Sequence, residues 1–318
     1  MSGFYGIYEY LKKNMEKAII GKGEVVDLAI ITLFSGGHLL IDDVPGTGKT
    51  LLAKTLAASI SCSFKRIQFT PDLLPSDLTG VNYFNMKSSS FEFIPGPIFT
   101  NILLADEINR ATPRTQAGLL ECMEERQVTV EGRTYRLESP FAVIATQNPI
   151  DNMGTFPLPE AQLDRFLVKT SMGYPTHAES NRIIENNSIT QYAADSVLTK
   201  EDVFKAAEEL NRVYIHPDII DYISSIIEFT RQQPDVLLGA SPRAGIHLLK
   251  VAKGYAAISK RGFVLPDDVK RAAVPVLAHR LVLTNSARMK NAMDRTIIKE
   301  LLYKVAVPTE AVFDGGGK

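Results

Sequence analysis

The chain carries Asp43-Val44-Pro45-Gly46-Thr47-Gly48-Lys49-Thr50, a glycine-rich turn between the apolar run 38–41 and the helical pattern 51–60. A strand, a glycine-rich loop and a helix, in that order, form the arrangement in which backbone N–H groups cradle phosphate groups. The usual pattern begins with glycine where this chain has Asp43, but the strand and the helix both match. The turn therefore predicts an α/β fold with a site for nucleotide phosphates.

Each residue type in the turn has a chemical reason. Gly46 and Gly48 supply backbone dihedrals and a close approach that a Cβ would block. Lys49 would reach the β- and γ-phosphates, and the Thr50 hydroxyl would ligate Mg2+. A glycine-rich β-turn without a ligand is the structural alternative. The candidate phosphate-binding residues are Pro45, Gly46, Thr47, Gly48, Lys49, Thr50 and Leu51.

Length and composition narrow the classes of protein. The 318 residues suggest about two domains. The net charge of −1 and the 45% of hydrophobic residues provide no overall basic field for nucleic acid. The two cysteines lie far apart and suggest neither a disulfide framework nor a zinc site. Because no segment approaches a signal peptide or a span of about 20 apolar residues, we expect a cytoplasmic protein without a membrane span.

The pattern along the chain predicts two domains. Strand-like and helical segments alternate over 1–175, whereas the chain over 176–318 reads as helices only. Residues 79–98 read as an excursion from the sheet without a regular element, and 127–137 read as a β-hairpin. The glycine-rich tail 313–318 lacks apolar periodicity. The predicted strands are 38–41, 64–69, 102–105 and 141–146, and the predicted helices of the second part are 178–187, 200–213, 217–233, 242–260 and 266–279.

An acidic pair, Asp106 and Glu107, follows the apolar strand 102–105. In phosphate-binding α/β sheets, the side chains at the carboxyl ends of the strands face the ligand. In that position Asp106 would hold Mg2+ through water, and Glu107 would act as general base toward the attacking water. A strand that ends in a solvated acidic turn is the alternative.

Several motifs together resemble the AAA+ ATPases, and specifically the MoxR family, over nearly the whole chain. They are the turn 43–50, Leu104-Ala105-Asp106-Glu107-Ile108-Asn109-Arg110-Ala111, Ala145-Thr146-Gln147-Asn148-Pro149 and the segments 96–99, 158–166 and 241–244. The resemblance implies a P-loop αβα sandwich with a parallel sheet, followed by an all-α lid, with ATP between them. It also implies a homo-oligomeric ring, commonly a hexamer. Residues 79–98 resemble the helix-2 insert, and 127–137 resemble the pre-sensor-1 hairpin.

The resemblance assigns roles to further residues. Asn148 is similar to sensor 1, an amide that would hydrogen-bond the γ-phosphate or the attacking water. Arg165 is similar to the arginine finger, which would enter the site of a neighbouring subunit. Arg110 and Arg114 are the alternatives for that finger, and an ion pair of Arg165 with Asp164 or Glu160 is the structural alternative.

Two more roles follow from the resemblance. Arg243 is similar to sensor 2, a cation of the lid that would report loss of the γ-phosphate. A surface arginine is the alternative, although the dipole of its own helix would oppose it. Ile20 and Gly21 resemble the segment that lines the adenine pocket, and any buried apolar segment would look similar.

The expected function is Mg-dependent ATP hydrolysis that drives chaperone-like remodelling or maturation of a protein partner. The resemblance implies a von Willebrand factor A-domain protein as the client. A motor subunit of a magnesium-chelatase type and a nucleotide-gated scaffold with little turnover are the alternatives. A DNA-bound ring is a further alternative, which the near-neutral charge of the chain disfavours.

Overall fold

The computed structural model describes residues 3–148, 154–187, 198–290 and 293–308. The chain divides into two compact units, Met1–Ala207 and Glu208–Lys318. The first unit extends beyond residue 175, where the sequence pattern placed a boundary, and the position of the domain boundary stays a prediction. The tail 313–318 lies outside the described residues.

The first unit contains the following elements up to β5. They are α1 (Phe4–Glu16), α2 (Gly23–Phe34), β1 (Leu39–Asp42), α3 (Lys49–Ser59), β2 (Phe64–Gln68), α4 (Pro75–Thr79), β3 (Gly80–Asn85), β4 (Ser90–Pro95) and β5 (Ile102–Asp106). The chain continues with a short 3-10 turn, α5 (Pro113–Glu125), β6 (Gln127–Val130), β7 (Arg133–Arg136), β8 (Ala142–Gln147), α6 (Glu160–Leu163), β9 (Val168–Thr170) and α7 (His177–Asn187). Helix α8 (Lys200–Asn211) crosses the division between the units.

A five-stranded parallel sheet in the order β2-β5-β8-β1-β9 forms the centre of the first unit. Its three inner strands β5, β8 and β1 are apolar up to their last one or two residues, and nearly all of their side chains are buried. Such runs are typical of parallel strands that are covered on both faces. The predicted α/β fold with a parallel sheet is therefore confirmed.

The strand register brings three chain segments to one edge of the sheet. Asp42 of β1 pairs with Gln147 of β8, and Ala105 of β5 pairs with Ala145 of β8. Since all of these strands run parallel, the loops that follow β1, β5 and β8 leave the sheet at the same edge. The glycine-rich turn 43–50, called the phosphate-binding turn below, directly follows β1. The acidic pair Asp106 and Glu107 lies where β5 ends, so the turn and the pair both belong to this edge.

Two antiparallel hairpins lie outside the main sheet. Strands β3 and β4 pair from Gly80 to Pro95, so most of the segment 79–98 is a regular hairpin. The expected excursion from the main sheet is present, whereas the expectation that it contains no regular element was wrong. The polar and glycine-containing sequence hid its strands. The β6–β7 hairpin was predicted, and the two hairpins meet where the rings of Phe93 and Tyr135 stack with centroids 4.2 Å apart.

The second unit is helical, as predicted, with one small exception. Its elements are α9 (Pro217–Gln232), β10 (Val236–Leu238), α10 (Pro242–Ile258), α11 (Pro266–Leu277), a 3-10 turn, β11 (Val282–Leu283), α12 (Asn285–Met289) and α13 (Asp294–Lys304). Strands β10 and β11 pair as an antiparallel ribbon, which corrects the expectation of helices only. Strands of three and two residues are too short to show a period in the sequence. Among the helices that the structure describes, none combines the length and the apolar character needed to cross a bilayer.

Candidate nucleotide-binding site

The phosphate-binding turn has the backbone that its glycines predicted. Gly46 has a φ of 83° and Gly48 has a φ of 92°, a region that strains any residue with a Cβ. Helix α3 begins at Lys49, directly after Gly48. The first N–H groups of a helix have no acceptor within that helix, so those of Lys49, Thr50 and Leu51 can bind an anion.

Lys49 is buried although it carries a charge. The residue is only 8% exposed, and its Nζ donates to the backbone carbonyl of Asp43 at 2.8 Å. The Thr47 hydroxyl donates to the carbonyl of Val44 at 3.2 Å across the same turn. A phosphate oxygen would offer Lys49 a charged acceptor in place of a neutral carbonyl, and charge-assisted hydrogen bonds are the stronger kind. The Lys49 ammonium group could therefore exchange the Asp43 carbonyl for a phosphate oxygen.

Asp43, which departs from the usual glycine, has a structural role. Its Oδ1 accepts the N–H of Val44 at 2.8 Å, and its Oδ2 accepts the N–H of Gly173 at 2.7 Å. The residue is 6% exposed, so its carboxylate is largely removed from water. Asp43 therefore joins the phosphate-binding turn to the segment that follows β9, which a glycine could not do.

The acidic pair is held by a buried threonine of β8. The Thr146 hydroxyl donates to Oδ1 of Asp106 at 2.6 Å and accepts the backbone N–H of Glu107 at 2.8 Å. Thr146 is completely buried. Because one hydroxyl contacts both acidic residues, it sets the direction in which the chain leaves β5.

Strand β2 supplies polar partners for both carboxylates. The Oδ2 of Asp106 accepts hydrogen bonds from Nε and Nη2 of Arg66 at 3.1 and 2.7 Å. The Oε2 of Glu107 accepts the Nε2 of Gln68 at 2.8 Å and the Nη1 of Arg110 at 3.0 Å. The two carboxylates are thus each neutralised by one arginine.

The backbone of Glu107 is strained. Its φ of 56° and ψ of 50° lie in the left-handed region, which is uncommon for a residue other than glycine, asparagine or aspartate. Such a conformation costs about 1–3 kcal/mol and is found most often at functional sites. The left-handed conformation of Glu107 turns the chain sharply after Asp106, so the Glu107 side chain lies at the edge of the sheet.

Asn148 follows β8, which lies between β1 and β5. Its backbone carbonyl accepts the Nδ2 of Asn109 at 3.4 Å, which places it beside the turn after the acidic pair. Adjacent strands are about 4.8 Å apart, so β1 and β5 are separated by about 10 Å at this edge. Asn148 thus leaves the sheet between the phosphate-binding turn and the acidic pair. Pro149 of the same motif lies outside the described residues.

The structure places the candidate arginines at different positions. The Nε of Arg165 pairs with Oε2 of Glu124 on α5 at 3.1 Å, a partner that the sequence did not suggest. Arg110 pairs with Glu107, and Arg114 is exposed in the first turn of α5. Because a finger acts in a neighbouring subunit, all three stay candidates. Arg243 belongs to the second unit, where it is exposed in the first turn of α10, and its role stays a prediction.

The candidate adenine segment is packed against α7. Ile20 is buried, and Gly21 has a φ of 74°. A Cβ at Gly21 would lie 1.8 Å from Oε1 of Glu179, so a side chain fits there only if the Glu179 side chain moves. Ile20 and Gly21 belong to the same unit as the phosphate-binding turn. Their contact with an adenine base stays a prediction.

The residues present fit a Mg2+ ion. Mg2+ prefers oxygen ligands and keeps several waters, and Thr50 and Asp106 offer a hydroxyl and a carboxylate. Thr50 is the second residue of α3, directly after Lys49, and is partly buried. Asp106 also accepts hydrogen bonds from Thr146 and Arg66, so its carboxylate has protein partners on both oxygens.

Sequence reasoning missed three residues of this site, Arg66, Gln68 and Thr146. Arg66 and Gln68 are two residues apart and lie on the same face of β2, within the segment 64–69 that was predicted to be a strand. Their partners became evident only when β2 was found next to β5, with Gln68 opposite Asp106. Thr146 lies within an apolar strand, where a single hydroxyl gives no pattern.

The parallel sheet, the glycine-rich loop before α3 and the acidic pair define a nucleotide-binding protein of the P-loop class. A family model described as "ATPase family associated with various cellular activities (AAA)" matches residues 38–168, and a model described as "AAA lid domain" matches 228–301. These matches, together with the similarity to the chaperone MoxR1 of Mycobacterium tuberculosis, show that the chain belongs to the MoxR family of AAA+ ATPases, which confirms the resemblance found in the sequence.

Relatives support this membership along the whole chain. The chain is 46% identical over 300 residues to the uncharacterized protein YeaC of Bacillus subtilis, with 94% of each chain covered. It is 39% identical over 304 residues to the chaperone MoxR1 of Mycobacterium tuberculosis, with 93% of this chain and 81% of that protein covered. The crystal structure of a proposed ATPase from Cytophaga hutchinsonii has a TM-score of 0.90 and 38% identity, with 96% of each chain covered.

Proposed function

We propose that this AAA+ protein hydrolyses ATP with Mg2+ and uses the energy to remodel or mature a protein partner. The observation that carries the proposal is the meeting of the phosphate-binding turn and the acidic pair at one edge of the sheet. Lys49 and the N–H groups at the start of α3 would bind the phosphates. Mg2+ on Thr50 and Asp106 would neutralise charge on the phosphate oxygens.

The hydrolytic step needs a base and an orienting group. Glu107 would accept a proton from the attacking water, and Asn148 would orient that water or the γ-phosphate by a hydrogen bond. The Oε2 of Glu107 is bound by Gln68 and Arg110 in the described state, so its use as a base requires that these contacts change. An arginine from a neighbouring subunit, with Arg165 as first candidate, would complete the site.

The proposed assembly is a homo-oligomeric ring, with six subunits as the expected number, in the cytoplasm. The family membership supports an assembly, and the name of the relative chaperone MoxR1 supports a protein client. A von Willebrand factor A-domain protein is the proposed client class. These partners rest on resemblance, whereas the nucleotide site rests on the geometry of the described residues.

Two substitutions test the ATPase proposal. Lys49→Ala removes the buried cation of the turn and should abolish binding of a fluorescent ATP analogue. Glu107→Gln keeps the side-chain shape and should retain ATP binding while phosphate release falls by about 100-fold or more, the range of a lost general base. If the Glu107→Gln protein hydrolysed ATP at the parental rate, the assignment of the base would be wrong.

One observation favours a second candidate, a nucleotide-gated scaffold with little turnover. Gln68 and Arg110 both donate to Oε2 of Glu107, so that oxygen of the proposed base is engaged by protein partners and is less available to accept a proton from water. Phosphate release measured against protein concentration separates the two. A ring completed by an arginine finger should show activity that rises more steeply than linearly, whereas a scaffold should show negligible release at every concentration.

A further inference from the structure

Asp106, the proposed metal carboxylate, already has a cation in the described structure. The Nε and Nη2 of Arg66 lie 3.1 and 2.7 Å from its Oδ2, and the Thr146 hydroxyl lies 2.6 Å from its Oδ1. We propose that Arg66 competes with the divalent metal for Asp106 and keeps the metal site closed until metal and nucleotide enter together. This inference rests on the proposed function, since it concerns the metal of that ATPase site.

The fold directs Arg66 onto Asp106. Gln68 is the register partner of Asp106 in the β2–β5 pair, and Arg66 lies two residues earlier on the same face of the sheet. The Oε1 of Gln68 accepts the Nη2 of Arg66 at 3.0 Å, which further fixes the guanidinium. The Arg66 side chain thus makes three hydrogen bonds within the site, although it is long and flexible.

Burial differs between the two partners of the ion pair. The side chain of Asp106 is 11% exposed, whereas that of Arg66 is 47% exposed. Arg66 therefore has solvent into which it can move, while Asp106 stays at the edge of the sheet. The pair can open by movement of the arginine alone, which is what a competitor of the metal requires.

Arg66 and the divalent metal cannot both bind Asp106 closely, because both are positively charged. A guanidinium and a divalent metal on one carboxylate repel each other over a few ångströms, and the arginine also cancels the negative charge that attracts the metal. Removal of Arg66 leaves Asp106 negative and poorly solvated. From the usual strength of partly exposed ion pairs, we expect metal affinity to rise about three- to tenfold.

A purely structural role of Arg66 predicts the opposite sign. If the arginine served only to attach β2 to β5, its loss would loosen Asp106, and metal affinity would fall or stay the same. Competition between Arg66 and the metal therefore predicts a gain of metal affinity when the arginine is removed. A gain of metal affinity on loss of a side chain is not what general damage to the fold produces.

The experiment measures Mn2+ binding to the full chain with a saturating, non-hydrolysable ATP analogue. Free Mn2+ is followed by electron paramagnetic resonance for the parent and for Arg66→Gln, and the Mn2+ held by unbound analogue is measured in a titration without protein and subtracted. Lys65→Gln is the matched control, because Lys65 is the neighbouring exposed cation on the opposite face of β2, with its Nζ 3.3 Å from the carbonyl of Gly96. The dissociation constant for Mn2+ should fall three- to tenfold in Arg66→Gln and stay unchanged in Lys65→Gln.

Each other outcome overturns the inference. An equal or weaker Mn2+ affinity in a folded Arg66→Gln protein contradicts competition, and an equal gain in Lys65→Gln attributes the effect to overall charge. If Arg66→Gln does not fold, Arg66→Lys replaces it. That variant keeps the charge but loses the two-donor grip, so it should show a smaller gain, and parental affinity would contradict the proposal. A parent that binds no metal with the analogue would overturn the ATPase proposal itself.

Discussion

Thr146→Val tests whether one buried hydroxyl holds the acidic pair. Valine has nearly the same shape, so the change removes two hydrogen bonds with little effect on packing. It leaves the backbone N–H of Glu107 and the Oδ1 of Asp106 without the partner they have at 2.8 and 2.6 Å. An unsatisfied buried polar group costs about 1–3 kcal/mol, and more if it is charged. We therefore expect the free energy of unfolding to fall by about 2–4 kcal/mol.

The loss should be visible in thermal unfolding of the first unit. For a unit of this size, 1 kcal/mol corresponds to about 2–4 °C, so the melting temperature should fall by about 4–16 °C in calorimetry without nucleotide. Thr146→Ser is the matched control, since it retains the hydroxyl and loses one methyl group, which costs about 1 kcal/mol. If the valine variant were as stable as the serine variant, the bridge would contribute little and the reasoning would be refuted.

Two further predictions concern other parts of the first unit. Gly21→Ala places a Cβ 1.8 Å from the Glu179 carboxylate at a φ of 74°, so it should weaken binding of a fluorescent ATP analogue. Gly36→Ala is the control, because Gly36 also has a positive φ, of 63°, but no atom lies within 4 Å of the new Cβ. Its binding of the analogue should be unchanged. Burial raises the pKa of the Cys62 thiol to about 11, so labelling by a disulfide reagent at pH 8 should be much slower than that of a free thiol and should accelerate as the pH approaches 11. Rapid labelling at pH 8 would contradict the burial of that sulfur.

The inner strands and the phosphate-binding turn could be predicted because their signals are local. Strands β1, β5 and β8 each begin with three or four consecutive apolar residues, and the glycines at 46 and 48 permit the positive φ that the structure shows. The edge strand β9 has three residues, and the ribbon β10–β11 has three and two, which is too few for a period to emerge. What decides these short strands is the neighbour that they pair with.

The candidate nucleotide-binding site shows the same difference between residues with a local sequence signal and residues that depend on strand pairing. Asp106 and Glu107 were predicted because they follow a strong strand directly, whereas Arg66 and Gln68 lie about 40 residues earlier in the chain. Their role depends on the pairing of β2 with β5, which comes from the order of strands in the sheet. Side chains that act across strands are therefore found in the structure and not in the motif.

The charges at the edge of the sheet explain how the site can exist without a ligand. Two neighbouring carboxylates would repel each other, and a strained backbone at Glu107 adds to the cost. Arg66 and Arg110 each neutralise one carboxylate, and Lys49 is held separately by the carbonyl of Asp43. Nucleotide and metal together can replace these internal partners, since phosphates accept from Lys49 while the metal takes the place of Arg66. A metal alone leaves Lys49 with its carbonyl and must still displace Arg66, so the arrangement favours joint entry of metal and nucleotide.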